Sequence, residues 1–327
     1  MNKEYYYIYC KGILGVKTND ADFRWVYGSV APQSSYEEYE KCVVKFDLRV
    51  KPEKELDDAG ECDKCFQAYT WNSRIKTLYC RRVLFGHFKI GFNIRIDGKT
   101  VYAEIGRNYY RLVRNRIMNL HGMYYLLADL ANMILLKNGL LSLYASAVYC
   151  ESNNRCTVFF APPNTGKTLT ASKLCSLGGY KLVGEDIVIT DTEKVYSCPW
   201  TSSYRKSSSV VDDSGALGRI RKNADMDRFD VCDLTDVVVL SLGEARSSDE
   251  KQDVFQSICI LNGYLFDYYS SPIVKILAYF DEEYRKDWNN CAESMIKDMV
   301  ESCNSRSISM KAPMEFYEIV ASETTGK

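Results

Sequence analysis

The stretch Cys156–Thr190 constrains this chain more than any other. Thr157–Phe160 is a short apolar run rich in β-formers, cut off sharply by Ala161-Pro162-Pro163-Asn164-Thr165-Gly166-Lys167-Thr168. Leu169–Leu177 then carries Leu169, Ala171, Leu174, Cys175 and Leu177 on the apolar side of a helix, which Gly178-Gly179 closes. Tyr180–Val183 reads as a second strand, Glu185-Asp186 as an acidic pair at its end, and Ile187–Thr190 as a third strand. Strand, loop, helix, strand, acidic pair, strand is the order of an α/β core.

A loop of this composition between a strand and a helix suits a polyphosphate. Such a ligand needs backbone N–H groups converging on its oxygens, the positive end of a helix, and one mobile cation. Gly166 lets the backbone approach closely, Lys167 reaches β- and γ-phosphate oxygens, and Thr168 offers its hydroxyl to Mg²⁺. Pro162 and Pro163 have no N–H to give, so the cradle runs from Asn164 through Thr165, Gly166, Lys167 and Thr168. Ala161 stands where such loops open with glycine, and Asn164 suits a position wanting positive φ. A bare Gly-Lys-Thr triplet is weak; the strand before, the helix after and the acids beyond give this one its weight.

With 327 residues the chain is long enough for two cored domains. A net charge of −1 gives no electrostatic case for nucleic acid. The most apolar region, Leu120–Val148, holds Asp129 and Lys137 and breaks at Asn138-Gly139, so it reads as a buried helix and a core strand, not a membrane span. Met-Asn-Lys-Glu leads into tyrosines instead of an aliphatic run, and the 13 cysteines are odd in number and scattered; both lead us to expect a cytoplasmic protein. Cys62 and Cys65 form a lone CxxC. A zinc site needs about four ligands, and only His87 and His121 are on offer, so this is a chance pair of thiols.

Residues 1–118 read as a β-rich N-terminal domain, with strands over Tyr5–Cys10, Arg24–Val30, Cys42–Val50, Ile75–Leu84, Phe88–Ile96, Val101–Ile105 and Tyr109–Val113. Asp97-Gly98 and Gly106-Arg107-Asn108 read as hairpin turns, and Lys51–Asp63 as an exposed loop. Residues 119–327 read as the α/β domain. Its elements are a helix over Asn119–Lys137, a strand over Leu140–Val148 paired with the loop strand, a strand over Val237–Leu242, and helices near Asp253–Leu261, Ile273–Phe280 and Cys291–Glu301. The long loop over 198–223 carries Arg205 and Lys206, which read equally as phosphate or substrate contacts and as a solvated basic surface.

Leu143-Tyr-Ala-Ser-Ala-Val148, a polar turn, the loop, its helix and Leu182-Val-Gly-Glu185-Asp186-Ile-Val-Ile189 together resemble the HPr kinase/phosphorylase family, within the phosphoenolpyruvate-carboxykinase-like P-loop fold. Cys198-Pro199-Trp200 is similar to a proline-aromatic stretch of HPr-kinase-like serine kinases from peptide-modifying gene clusters. The resemblance covers about Leu140–Arg205 and implies a mixed sheet with flanking helices, ATP and Mg²⁺ as cofactors, and self-association. It also implies Lys167 on the phosphates, Thr168 and Asp186 on Mg²⁺, and Glu185 as the base that takes the acceptor proton, with the division of labour between Glu185 and Asp186 open. Tyr144 stands at the family's His, Glu185 at its Asp, and Asn164 at a loop Gly. Two readings follow. One is a kinase transferring the γ-phosphoryl group to a Ser/Thr hydroxyl of a peptide or protein, or to a small hydroxylated metabolite. The other is a nucleotide-binding regulatory or scaffold protein with degraded catalysis.

Overall fold

The computed structural model describes residues 3–21, 23, 31, 33–56, 60–114, 123–185, 187–198, 229–244, 246–268, 272–285 and 288–325. The expected strand over Arg24–Val30 lies outside them, as does nearly all of the basic loop over 198–223. The protein is mixed α/β and forms two compact units, Met1–Ile134 with Tyr269–Asp287, and Leu135–Tyr268 with Trp288–Lys327. The division falls within the helix expected over Asn119–Lys137 instead of ahead of it, and the helix Pro272–Phe280 belongs to the first unit.

The first unit is built on a nine-stranded sheet. Its elements are β1 (Tyr5–Cys10), β2 (Leu14–Thr18), β3 (Gln33–Ser34), α1 (Tyr36–Glu40), β4 (Val44–Lys51), β5 (Lys64–Phe66), β6 (Tyr69–Asn72), β7 (Thr77–Leu84), β8 (Phe88–Asp97), β9 (Thr100–Gly106), α2 (Arg107–Arg114) and α3 (Met123–Lys137). The strand order is β3-β1-β2-β4-β9-β8-β7-β6-β5, parallel at β2–β4 and β4–β9 and antiparallel elsewhere. The period of two is plain in β4: Val44, Phe46 and Leu48 are fully buried, while Lys45, Asp47 and Arg49 face the other way. Pro272–Phe280 packs here by its end: the Phe280 ring stacks on Trp71 with centroids 6.1 Å apart, and Lys64 Nζ donates to the Phe280 carbonyl at 2.6 Å.

The polar face of β4 carries a pH-dependent cluster. Arg49 and Lys17 both bridge Glu4 and Asp47, and Tyr6 donates to Glu4. The hydrogen bond from Arg49, with that from Tyr6, lowers the Glu4 carboxyl from its usual 4.5 to about 2. A depressed carboxyl adds stability above its unfolded pKa and loses it as the pH falls through the folded value. Wild type is therefore expected to lose more thermal stability than Glu4→Gln between about pH 4.5 and about pH 2. The effect is small, because the Glu4 side chain is 34% exposed, and high salt shrinks it. Parallel melting curves of the two proteins in acid would count against this.

Two local expectations fail here. Tyr109–Val113 is not a strand and Gly106-Arg107-Asn108 is not a hairpin turn; both belong to α2 and its approach. The Glu53 carboxylate accepts from the Asn108 amide, supplying a helix N-terminus with an anion from 55 positions away. Gly106 leaves room for it, since a Cβ there would lie 2.8 Å from Glu53 Oε1. Tyr109 and Tyr110 are then both buried, with the Tyr109 ring 5.5 Å from Phe92, and this packing overrides aromatic strand preference. The Asp97-Gly98 turn is as expected, with Gly98 at φ 57° between paired β8 and β9.

The second unit holds β10 (Leu141–Leu143), β11 (Ala145–Cys150), β12 (Arg155–Phe160), α4 (Lys167–Leu177), β13 (Tyr180–Gly184), β14 (Val188–Thr190), β15 (Lys194–Tyr196), β16 (Val231–Leu242), β17 (Arg246–Ser248) and β18 (Asn304–Met310). Three more helices follow β16, at Lys251–Tyr268, Trp288–Ser302 and Phe316–Thr325. β16 is the spine. Its first residues pair antiparallel with β15, and the rest runs parallel between β12 and β18. Such strands, covered on both faces, read as unbroken apolar runs, and Val237-Val-Val-Leu240 is one. Val158, Phe160, Val237 and Val239 pack towards Val254, Ile258, Ile296 and Met299. Phe159, Val238, Leu240 and Ile308 face the opposite way, onto Ala171, Leu174, Phe316 and Val320. Each large side chain buried in this sandwich contributes about 1.5–3 kcal/mol.

The strand expected over Leu140–Val148 is two strands. β10 pairs with β14 and only β11 pairs with the loop strand β12, because the ladder is interrupted at Tyr144. The Tyr144 amide donates instead to Asn262 Oδ1, 3.2 Å away.

Candidate phosphate-binding site

β12 and β13 are parallel to one another, each antiparallel to β11 between them, with Ala145 opposite Phe160 and Ala147 opposite Gly184. That register carries Tyr144, the loop beginning at Ala161, and Glu185 to one edge of the sheet, at the C-terminal ends of β12 and β13. Open α/β sheets bind ligands at such an edge. Two strand spacings put the starts of the loop and of the acidic segment roughly 10 Å apart.

The loop conformation follows from its residue types. Ala161 is fully buried, and Thr165 N closes a turn onto the Pro162 carbonyl at 3.3 Å. Asn164 takes φ 65°, the left-handed region that Asn tolerates, and Gly166 takes φ 117°. Gly166 is the N-cap of α4 and has no side chain with which to cap it. The Gly166 carbonyl accepts from the Thr170 amide at 2.8 Å and from the Thr170 hydroxyl at 3.0 Å. The first amides of an α-helix have no carbonyl within the helix to bond, and such an end favours an anion.

Lys167 is the first residue of α4 and is only 5% exposed. Its Nζ lies 3.8 Å from the centroid of the Tyr144 ring, well inside cation–π range. Thr165 and Thr168 are buried beside it in sequence. Glu185, 2% exposed, follows the last residue of β13, and its carbonyl accepts from the Ser146 hydroxyl. Gly184 is required just before it, since a Cβ there would lie 2.3 Å from Val188 Cγ1. Cys198 bridges to Gly184, so the chain after β15 returns to this edge.

Of the residues expected from the sequence, Asn164, Thr165, Gly166, Lys167 and Thr168 form one continuous loop and helix start, with Tyr144 against the lysine and Glu185 on the same sheet edge. Asp186, Arg205 and Lys206 lie outside the described residues. Among the described residues no three His, Cys, Asp or Glu side chains gather as a metal cluster. Cys62 and Cys65 belong to the first unit and are not joined by a disulfide, Cys65 lying on edge strand β5. No described helix is long and apolar enough to cross a membrane.

Two residues of the site are new. Asn262 holds the Tyr144 amide; its only trace in the sequence is an amide directly after the apolar run Ile258–Leu261 of a helix. Pro313 backs the loop: a Cβ on Gly166 would lie 2.7 Å from Pro313 Cβ. No sequence signal reaches across the 147 positions that separate them.

The sequence matches no protein-family model and no curated protein. Among solved structures it is similar to the HPr(Ser) kinase/phosphatase from Coxiella burnetii, at 13% identity over 33% of this chain and 77% of that one, with a TM-score of 0.22. A similarity at that score assigns neither fold nor function.

Proposed function

We propose that this protein is a Mg-ATP-dependent kinase that transfers the γ-phosphoryl group to a hydroxyl, a Ser or Thr of a peptide or protein being the leading acceptor and a small hydroxylated metabolite the next. The observation that carries the reading is a buried ammonium, Lys167, at the first position of a helix whose N-cap glycine has no side chain to cap it. A phosphate chain fits both the positive charge of Lys167 and the positive end of the helix it opens. The fit extends to Thr168, next on the helix, and to Glu185, on the same sheet edge.

In this reading the amides at the start of α4 and Lys167 hold the β- and γ-phosphates and neutralise charge as it shifts towards the leaving oxygen. Thr168 and Asp186 would hold Mg²⁺, which would supply positive charge to offset that of the phosphates. Glu185 takes the proton of the acceptor hydroxyl as its oxygen bonds the γ-phosphorus and the β–γ bridging P–O bond breaks. A buried glutamate suits this work, because its surroundings hold it still and exclude water.

The second reading, a nucleotide-binding regulatory protein that no longer turns ATP over, is favoured by the Tyr144 ring lying against Lys167. The test is consumption of γ-labelled ATP, wild type against Glu185→Ala, with ATP binding measured alongside. We expect both to bind and turnover to fall by about 10²–10⁴ in the variant. If both bind and neither turns ATP over, the kinase reading is lost and the regulatory one stands.

A further inference from the structure

We propose that Tyr144 and Asn262 are a positioning pair for Lys167, fixing its ammonium where the phosphates arrive; the role rests on the nucleotide-binding reading above. The ring is 3.8 Å from Nζ, and the lysine is buried, so the contact is made away from water, where cation–π attraction is strongest. A ring face meets one side of an ammonium, and an ammonium has three N–H donors in all. A lysine already held in one rotamer loses less freedom when its ligand binds. It is the π face of Tyr144 that meets the ammonium.

The ring is placed through its own backbone. Tyr144 sits at the interruption between β10 and β11, and its amide donates to Asn262 Oδ1 at 3.2 Å. Asn262 is 1% exposed, and its Nδ2 has no hydrogen-bond partner among the described residues. A buried amide that leaves its donor unmet is costly where leucine would pack. The bond to Tyr144 is what this asparagine supplies in return. The pair thus couples the helix Lys251–Tyr268 to the phosphate loop.

The experiment replaces Tyr144 with phenylalanine and then with phenylalanines carrying one to four ring fluorines, which drain the π face while keeping the ring's shape. Affinity for Mg-ATP is measured across the series. Tyr144→Phe is expected to stay within about twofold of wild type, each added fluorine to weaken binding further, and Tyr144→Leu to cost about tenfold or more. A flat series overturns the proposal while leaving the nucleotide site standing. If wild type does not bind Mg-ATP at all, the nucleotide reading falls and this role falls with it. A second measurement needs no nucleotide. With ¹³C at lysine Cε, the Lys167 ε protons should resonate upfield under the ring current, and Tyr144→Leu and Asn262→Leu should each remove or reduce that shift. An unshifted Lys167 signal in wild type overturns the proposal, and a signal unmoved by Asn262→Leu removes Asn262 from it.

Discussion

Gly166→Ala is expected to weaken Mg-ATP binding by about a hundredfold and to lower the stability of the second unit by several kcal/mol. Two costs meet at this residue. At φ 117° an L side chain is strained, by about 1–3 kcal/mol. The added methyl would also lie 2.7 Å from Pro313 Cβ, and overpacking of that kind costs typically about 1–3 kcal/mol. Relief comes only by shifting the loop or the turn Pro313–Glu315, and shifting the loop turns the leading amides of α4 off the phosphates. Thermal unfolding and nucleotide titration read the two effects separately. The double variant Gly166→Ala with Pro313→Gly removes the clash and keeps the backbone strain, so it should recover part of the loss and not all of it. Wild-type affinity in Gly166→Ala would contradict the account of the loop.

Arg155→Ala is expected to destabilise the second unit by about 3 kcal/mol without changing nucleotide affinity. Asp236 is almost completely buried, and its carboxylate gathers donors from three parallel strands. Arg155 of β12 binds it through both Nε, at 2.8 Å, and a terminal nitrogen; Asn304 of β18 donates at 3.0 Å. The neighbouring Thr235 hydroxyl accepts from the Cys156 amide at 2.9 Å and shares its one proton between the Asp236 carboxylate, at 2.7 Å, and the Cys156 carbonyl, at 2.9 Å. Removing Arg155 leaves a buried carboxylate with neutral donors only, and breaking a buried pair costs about 3–5 kcal/mol. The Arg155 side chain is 36% exposed, which holds the expectation at the lower end. The clamp stands at the opening of β12 and the phosphate loop at its close, about 17 Å away along the strand. Urea unfolding gives the first effect and titration the second. A loss under about 1 kcal/mol would mean that the clamp sets strand register and adds little stability.

The parts legible in sequence were those written locally. Thr157–Phe160, the loop and Leu169–Leu177 each carry their own signals, an apolar strand run, a break of proline and glycine, and helical spacing closed by Gly178-Gly179, which take φ 83° and 76°. β12, α4 and β13 follow them closely. What was not legible depends on partners distant in the chain. α2 forms because Glu53 meets its first turn and Phe92 packs on Tyr109, so a run of tyrosines that favours strand is a helix. The interruption at Tyr144 depends on Asn262, 118 residues later, and nothing within Leu140–Val148 announces it. β18 and the helix Phe316–Thr325 left no expectation at all, yet they supply Ile308, Phe316 and Val320 to the core behind the phosphate loop.

The most direct measurement is calorimetric titration of the full chain with Mg-ATP, wild type against Lys167→Ala. The account predicts saturable binding in wild type and a loss of about a hundredfold in the variant, since hydrogen bonds to a charged group are worth about 1.5–3 kcal/mol each. Folding of Lys167→Ala, checked by its melting curve, shows that the loss belongs to the site. No saturation in wild type, or equal affinity in the two proteins, would mean that the buried lysine and the start of α4 serve something other than a nucleotide.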